Sequence, residues 1–267
     1  MIKGLIFDLD GVIVTTEHNH FIAWQRTANS LGIDFEEEHN ELLKGVSRAD
    51  SLKKILELGS KTISTEEFEA LLKSKNDFYV DSIQELNQTD LLPGVLDLLT
   101  EAKEKGIKLA IGSSSKNANF ILTLLKIDHL FDVVIDGNGV EFPKPHPEVF
   151  LNGAEALGLA PTECIVFEDA ASGITAAKAG GFHAFAVGNP NIAEMADTYF
   201  NDLTEFFILQ EALKVAPGST ESLPNTTSPD IVADAFSDNI WSTFNFPENF
   251  PSISAWVHSM VPSTDPS

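Results

Sequence analysis

Lys3-Gly4-Leu5-Ile6-Phe7-Asp8-Leu9-Asp10-Gly11-Val12 decides the reading of this chain: an apolar run ends in two carboxylates two positions apart, and glycine follows at once. The run reads as a buried strand that delivers a reactive loop. Carboxylates beside an apolar strand repel each other and are costly to desolvate, so they require a compensating cation or a protonation role. Mg²⁺ suits such a pair, because it takes hard oxygen ligands and keeps water or phosphate oxygens in an octahedral shell. One acid can then attack phosphorus while the other moves a proton. Taken alone, the same residues also describe a strand end carrying two solvated acids.

Three distant segments bear on that choice. Leu109-Ala110-Ile111-Gly112 is a second apolar run, and it ends in Ser113-Ser114-Ser115-Lys116-Asn117, small donors with one cation. Such a loop can hold a phosphate; its serines can equally cap the helix read from Lys116 to Leu125, and capped helix starts also bind anions. In Phe142-Pro143-Lys144-Pro145-His146-Pro147, three prolines keep a lysine out of a helix and predict an extended segment that aims its charge. Cys164-Ile165-Val166-Phe167-Glu168-Asp169 is another apolar strand ending in paired acids, with Ala170-Ala171-Ser172-Gly173 leading into a small-residue helix. Two acidic strand ends in one chain suggest a shared metal.

In order, Asp-x-Asp, serine, lysine and Glu-Asp resemble the motif series of the haloacid dehalogenase superfamily, from Met1 to about Lys214. The likeness extends to its β-phosphoglucomutase branch through Phe7–Ile13, His20-Phe21 with Ala23-Trp24, Leu43–Arg48 with Asp50-Ser51-Leu52, Lys75-Asn76-Asp77 and Ser115-Lys116-Asn117. The resemblance implies a Rossmann-like α/β core, a doubly wound parallel sheet, with an inserted helical cap. It implies Asp8 as nucleophile and Asp10 as general acid and base, with Mg²⁺ held by Asp8, the backbone carbonyl of Asp10, Glu168 and Asp169. Ser113 and Lys144 complete the cradle around the reacting phosphoryl group. Gly45, Arg48, Ser115, Lys116 and Asn117 lie where the other phosphate is held, and His20, Trp24 and Lys75 on the substrate side of the cap. The reaction so implied interconverts β-glucose 1-phosphate and glucose 6-phosphate, with glucose 1,6-bisphosphate as activating intermediate; a sugar-phosphate phosphatase on the same fold is the alternative. Three positions depart from the branch: Thr15 stands where aspartate is common, Ser114 where alanine is common, and Ala170 where serine is frequent.

Without the resemblance, several of these residues read more plainly. Arg48 is an arginine at a solvated helix start, His20 a packed histidine beside Phe21 and Trp24, Trp24 cap core, and Lys75 a charge on a helix surface. His18 and His20 are two apart, the wrong spacing for one helical face, which rejects a zinc site there.

Composition is consistent with a cytoplasmic α/β enzyme. The chain has 267 residues, enough to bury a substantial core, and 43% of them are hydrophobic. Its single cysteine, Cys164, offers neither a disulfide framework nor a cysteine-based zinc site. No long charge-free apolar stretch or signal-peptide pattern appears, so cytoplasmic location is expected. Seventeen basic against forty acidic residues give a formal charge of −23, which argues against nucleic acid or an anionic membrane as partner and leaves small sugar phosphates and a monomer as the expectation. Local lysines, an arginine and Mg²⁺ must then overcome a repulsive overall field, whose reach screening limits to about 8–10 Å.

The chain divides at three places. Residues 1–15 and 91–214 alternate apolar runs with helical patterns, predicting a parallel sheet with helices on both faces and all four motifs at one crevice. The predicted elements are Val95–Lys105, Lys108–Gly112, Lys116–Leu125, Asp132–Ile135, Glu148–Leu157, Cys164–Glu168, Ser172–Ala179 and His183–Val187. Residues 16–90 are helical throughout, with Phe21, Trp24, Ala28 and Leu31, then Leu52, Ile55 and Leu56, then Phe68, Leu71, Leu72, Lys75 and Phe78 at helical spacing. This is the cap, whose closure would exclude water. Residues 215–267 hold no lysine or arginine but seven prolines, fifteen serines or threonines and six acids, and read as a disordered or loosely docked tail despite aromatics such as Trp241 and Trp256.

Overall fold

Near-continuous apolar runs such as Leu5-Ile6-Phe7 and Ile165-Val166-Phe167 can be buried on both faces only in a parallel sheet covered by helices. The computed structural model, which describes residues 2–43 and 45–206, contains that sheet. Its strands are β1 (Gly4–Phe7), β2 (Lys108–Gly112), β3 (Val133–Ile135), β4 (Cys164–Glu168), β5 (His183–Val187) and β6 (Thr198–Phe200). All neighbours run parallel in the order β3-β2-β1-β4-β5-β6. The order reverses between β1 and β4, and a crevice opens there at the carboxyl ends of the strands. Strand β6 was not anticipated: it has three residues, too few to show a period, and its pairing with β5 defines it.

Side-chain alternation splits the core into two layers. Leu5, Phe7, Ile165 and Phe167 pack with α5 (Val95–Glu104) and α6 (Ala118–Leu124), whereas Ile6, Ala110, Val166 and Ala184 face α7 (Glu148–Leu157) and α8 (Ala171–Ala179). Cys164 is fully buried in this second layer, and burial pushes its thiol up to about 11, so it acts as an inert packing residue.

The cap comprises α1 (Glu17–Ser30), α2 (Glu37–Glu41), α3 (Arg48–Leu58) and α4 (Thr65–Ser82), inserted between β1 and α5. It has its own core around Phe21, Trp24, Ala28, Phe35, Leu52 and Ile55. Ser47 and Ser64 cap α3 and α4, their hydroxyls accepting from the backbone N–H of Asp50 and Glu67. Two chain crossings join cap to core, and they are tied by the Val14–Leu91 bridge and by the Leu92 N–H donating to Ile13 O at 2.9 Å. The readings made for the 215–267 tail lie outside the described residues. No helix among the described residues is long and apolar enough to cross a membrane.

Phe167 is fully buried, stacked on Phe7 at 4.9 Å and edge-on to Phe185 and Phe206. Replacing it with alanine is expected to cost about 3–5 kcal/mol of stability. Urea denaturation should show a lower midpoint with an unchanged slope.

Candidate active site

Strand pairing sets the first half of the site. Phe7 lies opposite Phe167, so Asp8 leaves β1 beside Glu168, the last residue of β4. Lys144 arrives from a third segment and donates to both, 2.5 Å from Asp8 Oδ1 and 2.6 Å from Glu168 Oε1. All three side chains are buried, and the ammonium also sits 4.7 Å from the Phe150 ring centre. The extended conformation expected for Phe142–Pro147 is corrected by the structure: Pro143–His146 form a turn, with His146 N–H donating to Pro143 O at 3.0 Å and a cis Lys144–Pro145 bond at its centre. The prolines still keep the lysine out of a helix, but through a tight turn.

Charge in this cluster is unbalanced. Burial pushes the Asp8 carboxyl up to about 7; the Lys144 charge pulls against that, while Glu168 adds to it. Burial also raises Asp169 well above the usual carboxylate range, reinforced by Glu168, Asp8 and Asp10. Burial alone would lower Lys144, yet the charges of Asp8 and Glu168 overcome it and raise the lysine. Gly11 has φ +82°, and a Cβ there would fall 2.1 Å from Asp169 Oδ2, so the loop backbone approaches this carboxylate as only glycine allows. Asp8, Glu168 and Asp169 near one ammonium, two of them reluctant to ionise, have the chemistry of a site for a hard divalent cation. No preformed cage of three or more metal-ligating side chains occurs among the described residues. Mg²⁺ does not require one, since it binds through one or two carboxylates plus water and phosphate oxygens.

Asp10 has a separate environment. Thr16 donates to it twice, from its backbone N–H at 2.7 Å and its hydroxyl at 2.8 Å, and His20 Nε2 stands 3.4 Å away. Burial would raise Asp10, but these partners, His20 first and then Thr16, hold it below its ordinary value. Burial and the nearby Lys75 charge lower His20, which favours the neutral imidazole. With Lys75 Nζ donating to Nδ1 at 2.7 Å, the ring hydrogen lies on Nε2, facing Asp10. Because the single Thr16 hydroxyl hydrogen goes to Asp10, the hydroxyl accepts from Tyr79 OH at 2.8 Å.

The surface-helix reading of Lys75 is overturned. Its side chain is 3% exposed, boxed between the rings of Trp24 and Tyr79 at 4.6 and 4.7 Å, and burial together with the Arg48 charge lowers its amine to about 7. His20 is both packed on Tyr79 at 4.1 Å and aimed at Asp10.

Asp8, Asp10, His20, Trp24, Lys75 and Asp169 line one pocket with Gly45, Arg48, Ser113, Ser115, Lys116 and Asn117, whereas the buried Lys144 and Glu168 are not among its lining residues. The serines do not cap a helix: Ser113 Oγ accepts from Ser115 N–H and Ser115 Oγ from Asn117 N–H, which curls the loop, and α6 begins only at Ala118. Sequence reasoning missed Thr16 as the Asp10 partner, Tyr79, and the lining residues Asn40 and Ser51. Tyr79 had a signal, since it stands four residues after Lys75 on the same helical face.

A doubly wound sheet with carboxylates and a buried lysine at its switch point, under a helical cap, defines a phosphoryl-transfer enzyme. The chain belongs to the haloacid dehalogenase-like hydrolase family, which matches residues 5–187. It is 41% identical over 188 residues to a β-phosphoglucomutase of Bacillus subtilis, covering 70% of this chain and 83% of the relative. The crystal structure of a β-phosphoglucomutase from Clostridium difficile superimposes with a TM-score of 0.76 at 40% identity, covering 79% of this chain and 96% of that one. A phosphorylated carbohydrates phosphatase of Thermotoga maritima is 33% identical over 181 residues, covering 67% of this chain and 82% of the relative.

Lys144→Met would leave Asp8 and Glu168 buried without their counter-charge. We expect it to destabilise the metal-free protein by about 3–5 kcal/mol in equilibrium unfolding at pH 7.

Proposed function

We propose that the protein is a β-phosphoglucomutase, interconverting β-glucose 1-phosphate and glucose 6-phosphate through glucose 1,6-bisphosphate and a phosphorylated Asp8. One observation carries this reading. Arg48 from the cap and Lys116 from the core line the same pocket as Asp8, and their charged ends make no hydrogen bond or ion pair among the described residues. In a chain of formal charge −23, two uncommitted cations in the pocket suit a second phosphate, remote from the one that reacts.

The roles follow from position. Asp8 attacks phosphorus in line, and Lys144 and Ser113 meet the phosphoryl oxygens. Asp10 gives a proton to the departing sugar oxygen and takes one from the incoming hydroxyl; Thr16 and the neutral His20 hold its carboxyl in place. Arg48, Ser115, Lys116 and Asn117 grip the phosphate that is not reacting, with Gly45 backing the grip, while Lys75 and Trp24 meet the sugar. Asp8, the backbone carbonyl of Asp10, Glu168 and Asp169 would hold Mg²⁺, which when bound offsets the charge gathered on the phosphoryl oxygens. The same groups would serve a phosphatase if water reached the phosphorylated Asp8, and the kinship with a carbohydrate phosphatase gives that outcome its weight.

Supplied with β-glucose 1-phosphate, Mg²⁺ and a trace of glucose 1,6-bisphosphate, the enzyme should form glucose 6-phosphate without matching phosphate release. Phosphate released in step with substrate loss would replace the mutase reading with the phosphatase one. Asp8→Asn should lower turnover about 10³-fold or more while leaving the fold intact by circular dichroism. Mg²⁺ at about 100 times its Kd should stabilise the protein by about 2.7 kcal/mol in thermal unfolding, and Asp169→Asn should remove most of that gain.

A further inference from the structure

The loop that lines the pocket also fastens the cap. Ser114 Oγ donates to Gly45 O at 3.0 Å, and Asn117 Nδ2 donates to Asn76 Oδ1 at 2.9 Å. Ser114 and Asn117 belong to the core, Gly45 and Asn76 to the cap, so the two bonds span the cleft from one five-residue loop. Their seat is close-packed. Gly45 has φ +67°, and a Cβ there would lie 2.5 Å from Ser172 Oγ and 3.1 Å from Ala170 Cβ, so the cap backbone rests directly on the start of α8. The cap is joined covalently to the core through the chain crossings at Ile13–Val14 and Leu91–Leu92. Lifting the cap from the core at this loop must break both bonds.

We propose that Ser114, with Asn76, is a latch that holds the cap shut over the phosphorylated enzyme and so sets the partition between transfer to sugar and loss to water. Ser114 and Asn76 are positioning residues: they act through cap closure and need no contact with the reacting atoms. Placing the latch on the Ser113–Asn117 loop couples occupancy to closure, because a phosphate gripped by Ser115, Lys116 and Asn117 orders the loop that carries the Ser114 hydroxyl. The hydroxyl is the chemically decisive atom, since alanine at position 114 would keep the loop backbone and lose the bond to Gly45. The proposal deepens the mutase reading and rests on it.

The test compares wild type, Ser114→Ala and Asn76→Ala, each with β-glucose 1-phosphate, Mg²⁺ and a trace of glucose 1,6-bisphosphate, measuring phosphate and glucose 6-phosphate in the same reaction and thermal midpoints alongside. A neutral hydrogen bond between the two bodies shifts their open–closed balance by roughly two- to tenfold. Each variant should therefore release roughly two- to tenfold more phosphate per glucose 6-phosphate formed, with a near-wild-type thermal midpoint. An unchanged ratio in both variants overturns the latch and leaves the mutase reading standing. Phosphate release matching substrate loss in the wild type overturns the mutase reading, and the latch with it.

Discussion

The site is organised by one buried ammonium. Lys144 stands between Asp8 and Glu168 at 2.5 and 2.6 Å, and none of the three side chains is appreciably exposed. Burying such ions costs several kcal/mol each, so the arrangement persists only with close geometry and further donors. Glu168 obtains one, the Ala170 N–H at 2.9 Å. Three segments must therefore meet within hydrogen-bonding distance: the end of β1, the end of β4 and the Pro143–His146 turn. The parallel register of β1 with β4 brings the first two together, and the turn brings the third.

Around that cluster the protein separates two carboxylates two residues apart into different environments. Asp8 faces a buried lysine and other acids, and burial lifts its carboxyl above the usual range against the pull of that lysine. Asp10 turns instead to the threonine and histidine of the cap connection and stays on the low side of its range. Two acids only two residues apart on the chain thus sit in distinct electrostatic surroundings. Despite the overall acidity of the chain, Arg48, Lys75 and Lys116 gather at one pocket, and fields from distant carboxylates are screened within about 8–10 Å.

Much of this was legible in the sequence, for physical reasons. Strands buried on both faces are apolar throughout, so β1, β2, β4 and β5 announced themselves, and each acidic or polar cluster stood at the end of one. Element β6 was too short to carry a period. Lys75 falls at helical spacing with the apolar Leu71, Leu72 and Phe78, so its inward direction was legible, whereas the aromatic box of Trp24 and Tyr79 depends on the packing of α4 against α1. Thr16 was read as the first residue of the cap, and its bond to Asp10 arises from a loop closure that no local pattern encodes. The serines after β2 were legible as donors but not as a turn that delays the helix to Ala118.

The central claim is that Asp8, fixed by Lys144, accepts the phosphoryl group. Its most direct test is to mix the Mg²⁺-loaded enzyme with glucose 1,6-bisphosphate, quench in acid within one turnover, and map the phosphorylated peptide by mass spectrometry. The account predicts one phosphoryl group, located on Asp8. A phosphoryl group on any other residue, or no covalent adduct at any quench time during active turnover, would contradict it.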